Sequence, residues 1–211
     1  LNFSFDKNFQ LLIIIFSVLL IGLFIFKTHD DFSYYHFQYS YYLTKQSVIF
    51  GIGNFGLGLR TPSSLFYLNS LFYLPIIKYY FFQITSVLIL GFSNLVLLIK
   101  IKNDIIEKRY NFLTIYNLLV FIFINVFFYR ISEHGTDRSA QILILILFSE
   151  LLVFLNFKTS KDRVISKILL LIGLVVSFKA FYILYTVFFF IILIHLVNLK
   201  FSLKKIINNF F

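Results

Sequence analysis

The chain has 211 residues, of which 60% are hydrophobic and 13% charged, with a mean hydropathy of +0.90 and a net charge of +10. A water-soluble domain carries about 25% charged residues, so this chain is too short of charge to coat itself in water and an integral membrane protein is expected instead. Cysteine is absent, which excludes disulfides, thiolate metal sites and a cysteine nucleophile.

Methionine is absent too, even at position 1, so the 211 residues are expected to be one transmembrane domain of a longer protein. The 31 Phe and 14 Tyr accompany abundant Ile, Leu, Lys and Asn, the signature of AT-rich coding rather than of a base-stacking surface. The basic residues sit in short stretches between apolar runs, so the partner they imply is the lipid bilayer and no nucleic acid.

Leu11 to Phe26, with Phe9 and Gln10, forms the first predicted span, near the lower end of the roughly 17–25 residues a crossing helix needs. Lys27-Thr28-His29 follows it, with no small-residue cleavage site, so a retained anchor is favoured over a signal peptide. Residues 27–77 read as a first outer loop. Within it, Ser33, His36, Ser40 and Thr44 recur at helical spacing, while Phe32, Tyr35, Tyr39 and Tyr42 fall on another side, predicting an interfacial helix from Asp31 to Gln46. A glycine loop (Gly51, Gly53, Gly56, Gly58), Arg60-Thr61-Pro62, and a short helix from Ser63 to Tyr73 complete the loop, with Pro75 as the breaker. The letters of Gly51 to Gly56 match a dinucleotide fingerprint, but no buried strand precedes them and no βαβ unit follows.

Further spans are predicted at Phe81 to Ile101, Tyr110 to Phe128 and Ala140 to Phe157, with a second outer loop at 129–138. A single helix from Ile168 to Asn198 would be about 50 Å long, too long for a hydrocarbon core of about 30 Å. A break near Ser177 to Ala180 is therefore expected, giving an all-α polytopic bundle of about six spans. Lys7 and the clusters at Lys100 to Arg109, Lys158 to Lys167 and Lys200 to Lys205 fall on one side, which the positive-inside rule makes cytoplasmic, with the amino terminus.

The two outer loops then share the other face. Asp30 and Asp31 from the first and Asp137 from the second supply carboxylates beside His29, His36, His134, Arg60, Arg130 and Arg138. Carboxylates from separate loops can act as a general base with an orienting partner, or share a divalent metal ion, for which Asp31 and Asp137 are the candidates. Arg60, Arg138 and Lys179 suit a phosphate, and Tyr35, His36, Glu133 and His134 are further pocket candidates. Plainer roles compete: Asp31 stands where an N-cap of the interfacial helix would stand, Asp137 where one for the fourth span would. His36 fits a wet polar face and His195 a structural position, while Glu150, inside the fourth span, calls for a polar neighbour.

On these loops the chain resembles the GT-C class of membrane glycosyltransferases, and within it a group of bacterial multi-span proteins. An Asp followed four and five residues on by Tyr-His is matched by Asp31, Tyr35 and His36; Gly-x-Gly-Asn by Gly51, Gly53 and Asn54; Ser-Ser-x-Phe by Ser63, Ser64 and Phe66. A second-loop Asp ahead of a span is matched by Asp137, with Ala140 behind it. Where the pattern has a basic residue in the glycine loop this chain has Gly58, with Arg60 two places later. The resemblance covers roughly residues 9 to 198 and implies transfer of a sugar from a polyprenyl-phosphate donor on the extracytoplasmic face of a bacterial inner membrane. It implies Asp31 as base, with Asp30 as its substitute, Asp137 as the orienting group, and Arg60, Arg138 and Lys179 on the phosphate. The rival readings are a lipid-linked-saccharide flippase or polysaccharide transporter component, which would couple Glu150 to Lys179 across the membrane, and a non-catalytic scaffold.

Overall fold

The computed structural model describes residues 7–24, 30–46, 50–156 and 162–198. Among these, regular structure is helical apart from one antiparallel bridge between Leu74 and Lys78. Eight α-helices follow one another: α1 Lys7–Leu23, α2 His36–Lys45, α3 Ser64–Leu71, α4 Ile84–Ile106, α5 Phe112–Phe127, α6 Gly135–Asn156, α7 Asp162–Phe178 and α8 Val187–Asn198. A 3-10 stretch, Ala180–Thr186, joins α7 to α8, and the predicted break falls at Lys179, whose backbone is extended.

Among the described residues, three helical segments are long and apolar enough to cross a membrane: Tyr79–Ile106, Gly135–Asn156 and Ala180–Val197. Two more apolar helices, α1 with 17 residues and α5 with 16, are shorter than the spans read from their apolar runs. Asn111 stops α5 from extending back to Tyr110: its side chain accepts from Thr114 N at 3.0 Å, a cap that fixes the helix start. In the same way Ser63 accepts from Leu65 N at 3.2 Å and starts α3.

α6 is the central post. Ile142 and Ile146 join Leu23 of α1, Leu90 and Leu97 of α4 and Ile124 of α5 in one apolar cluster. Leu147, Leu151 and Phe154 join Ile165, Ile168 and Ile172 of α7 and Ile192 and Leu196 of α8 in another. Outward faces are as apolar as the core: Ile115, Leu119, Ile122 and Val126 of α5 and Phe190, Ile194 and Val197 of α8 are exposed. The polar groups turn inward instead. Asn94 and Asn125 exchange amide hydrogen bonds of 3.1 and 2.6 Å between α4 and α5. An apolar outside with polar side chains turned to the interior is the arrangement a bilayer favours. Close approach is secured at Gly91, where an added Cβ would lie 2.7 Å from the Phe16 ring of α1.

The charged stretch read as a loop from Lys100 to Arg109 is helical as far as Ile106. Lys100 consequently points into the bundle, where it meets Glu150 at 2.8 Å and Ser149 Oγ at 2.8 Å. Ser149 in turn donates to Asn117 Oδ1 at 2.7 Å. Glu150 thus has the polar neighbour that its place inside a span demands.

A candidate site where two loops and the α7 break meet

The first loop places its carboxylates on a 3-10 turn, Asp30–Phe32, and not on a helix. α2 begins only at His36, and Tyr35 holds its cap position without a side-chain cap, so Asp31 is not the N-cap that the pattern allowed. Its backbone carbonyl accepts from Tyr35 N at 3.1 Å, and its Oδ2 receives the Tyr35 hydroxyl at 3.5 Å. Asp30 is exposed and Asp31 half-buried. His29 lies outside the described residues.

The glycine loop comes up against the other side of Tyr35. A Cβ at Gly58 would lie 2.4 Å from Tyr35 Cγ and 2.7 Å from its Cβ, the root of the side chain rather than its free end. A basic residue therefore has no room at position 58. Arg60, two residues on, takes a place in the cleft wall instead, with Nε donating to Gly53 O at 3.1 Å. Gly58→Ala is expected to force Tyr35 aside at an overpacking cost of about 1–3 kcal/mol. A lower melting temperature together with loss of the Tyr35–Asp31 contact by NMR would show it.

The second loop ends in a single 3-10 turn, Ile131–Glu133, and α6 starts at Gly135, whose φ of 52° suits glycine. Asp137 is thus in the first turn of α6, where the helix dipole favours a carboxylate. Lys179, at the α7 break, forms an ion pair with it across 42 positions of sequence. Both side chains are close to half exposed. Ser132 Oγ donates to Leu23 O at 2.9 Å, tying this loop to the end of α1.

These pieces enclose a cleft of about 340 Å³ lined by Tyr35, Arg60, Ser63, Thr136, Lys179 and Phe181, among others. Burial pushes the Tyr35 phenol up from its ordinary pKa, and the negative charges of Asp31 and then Asp137 push it further. The phenol is therefore held neutral, as a donor to Asp31.

Other sequence candidates form a second group. Glu133, nearly buried, receives Arg130 at 3.5 Å and Arg138 at 3.3 Å, and Arg138 is absent from the cleft wall. His134 is buried with Nε2 2.6 Å from Phe128 O, a loop anchor rather than a pocket group. His36, expected to be wet, is buried against the rings of Tyr35 and Phe66, with centroids 4.4 and 5.3 Å away. Thr136 and Phe181 line the cleft without any sequence signal that singles them out, whereas Ser63 and Phe66, which also line it, belong to the Ser-Ser-x-Phe match.

Burial lowers the pKa of His134 to about 4. Its unfolded value is about 6.5, so between those values the unfolded chain binds a proton that the folded chain refuses. The stabilisation is complete above pH 6.5 and is lost as pH falls toward 4, by about 3 kcal/mol. An acid-induced drop in melting temperature, flattened in His134→Gln, is the expected measurement.

No curated protein and no solved structure matches this chain. The model of one family, the domain of unknown function DUF8201, matches residues 1–211, the whole of it, and the chain belongs to that family.

Proposed function

We propose that this chain is the amino-terminal part of a GT-C-like membrane glycosyltransferase of about six spans. It would move a sugar from a polyprenyl-phosphate donor to an acceptor hydroxyl on the extracytoplasmic face of a bacterial inner membrane. The observation that carries the reading is one cleft walled by Tyr35, Arg60 and Lys179, with Asp31, from the first loop, bonded to Tyr35 and Asp137, at the start of α6, paired with Lys179, both behind the lining residues.

In the step, the acceptor oxygen forms a bond to the anomeric carbon while the bond from that carbon to the phosphate oxygen breaks. Asp31 takes the acceptor's proton, with Asp30 next to it on the same turn. The electron pair leaves on the polyprenyl phosphate, where positive groups stabilise it. An ammonium has three N–H donors; Lys179 uses one on Asp137 and has two for phosphate oxygens. Arg60 faces the same space, and Arg138, held on Glu133, is the further cation the reading assigns to the phosphate. Exposed Phe181 beside Lys179 gives the lipid chain an apolar entry.

Asp31 and Asp137 are also the residues that would hold a divalent cation. Two carboxylates plus substrate phosphate oxygens are a sufficient set for magnesium, and the described residues contain no group of three or more His, Cys, Asp or Glu suited to a metal. Such an ion would offset charge on the phosphate.

A transporter that couples Glu150 to Lys179 is disfavoured by their partners. Glu150 pairs with Lys100 and Lys179 with Asp137. The thirteen residues from Asp137 to Glu150 along α6 put about 20 Å between the two pairs. The test supplies the full-length protein, in vesicles, with a radiolabelled polyprenyl-phosphate sugar and a mixture of saccharide acceptors. Label passing to a water-soluble product supports the proposal; label crossing the bilayer still attached to its lipid overturns it.

A further inference from the structure

A second cleft also borders the glycine loop. One wall is a stripe at every fourth residue of α2 and its end, Gln38, Tyr42 and Gln46; the other is Ile52, Phe55 and Leu59. Its volume is about 280 Å³. Leu59 and Arg60 are consecutive residues of one 3-10 turn, Leu57–Arg60, and they line the two clefts respectively. Tyr35, in the wall of the first, and Gln38, in the wall of the second, are one helical turn apart. We propose that this second cleft is a subsite for a neutral saccharide, the acceptor of the transfer reaction; the assignment rests on the transferase reading above.

The chemistry of the walls selects that ligand. None of the described lining residues is charged, so an ionic ligand finds no counter-charge. Tyr42 is 46% exposed and Phe55 84% exposed, two aromatic rings that the fold leaves uncovered on facing walls. Their support is firm: Leu59 and Ile52 pack on buried Tyr39 and Phe66, so the apolar floor is fixed. A pyranose offers such rings the apolar C–H face of its own ring. Its hydroxyls both donate and accept, and a glutamine amide does the same. Gln38 donates only to Ser33 O, at a long 3.4 Å, and so keeps its carbonyl for a ligand. A hydrocarbon chain in this cleft would strip water from two amides and give them nothing in return. A mainly apolar concavity with a few convergent polar groups is the usual form of a small-ligand site.

The test uses the full-length protein in lipid nanodiscs and short neutral oligosaccharides of glucose, mannose and N-acetylglucosamine as probes, with binding read by saturation-transfer NMR. Saturation of the pyranose protons is expected. Affinity should fall about tenfold or more in Tyr42→Ala and Phe55→Ala and survive in Tyr42→Phe. In the transfer assay the same two alanine variants should raise KM for the acceptor and leave KM for the donor unaltered. No saturation by any probe, or equal binding by native protein and both alanine variants, overturns the subsite. Transfer with unaltered acceptor KM in the variants overturns the subsite and leaves the transferase standing. Saccharide binding that depends on Tyr42 and Phe55, without transfer from any donor, overturns the transferase and the acceptor role with it.

Discussion

Asp31→Asn is expected to lower sugar transfer by about 10²–10⁴-fold, the usual contribution of a positioned general base, with insertion and folding unchanged. Asn keeps the size of the side chain and an oxygen that can accept from the Tyr35 hydroxyl, so the contact that positions the turn survives. What disappears is the ability to take a proton. The initial rate with labelled donor measures the loss, and near-native circular dichroism and melting temperature show that the fold is intact. Asp137→Asn is expected to act differently. It releases the Lys179 ammonium from its partner and should raise KM for the phosphate donor as well as lowering kcat. Full activity of Asp31→Asn would remove Asp31 from the mechanism and move the base to Asp30 or out of the first loop.

The contrast between those two variants also shows where sequence reading succeeds and where it stops. Asp31 and Asp137 are legible one at a time, because each is a rare charge beside a hydrophobic run. The break at Lys179 is legible because one continuous helix would overrun the bilayer. The pairing of Lys179 with Asp137 is not, since 42 residues separate them and nothing local joins them. Its spacing from Ser33 and Ser40 puts His36 on the polar side of a helix. Its burial comes from Phe66 on α3, a tertiary neighbour that no helical wheel contains. Gly58 is a similar case: as a letter it marks a loop, and only the Tyr35 ring shows why a side chain is excluded there. The charged stretch from Lys100 to Arg109 differs for another reason. Lys100 has the look of a loop residue until Glu150 supplies a partner inside the bundle, after which α4 continues to Ile106.

That partnership gives the other large effect. Lys100→Met is expected to destabilise the bundle by about 3–5 kcal/mol, because it strands a carboxylate whose side chain is only 6% exposed. Glu150→Gln should cost less: the Lys100 side chain is 22% exposed, retains Ser149 as an acceptor, and can carry its ammonium toward the surface on a flexible stem. Replacing both by Met removes two charges of similar volume together, and such exchanges range from neutral to stabilising by about 1–4 kcal/mol. Melting temperatures of the native protein, two single variants and the double variant close the cycle. Equal losses from the two singles, or a double variant worse than both, would mean that the ion pair is not what α4 and α6 depend on here. The cleft walled by Tyr35, Thr136 and Lys179 lies at the start of α6, away from Glu150, so on the proposed transferase reading these variants should reduce the amount of folded protein while each folded molecule transfers sugar at the native rate. A rate per folded molecule that fell with them would tie the two ends of α6 together and restore the coupled-charge reading that their separate partners argue against.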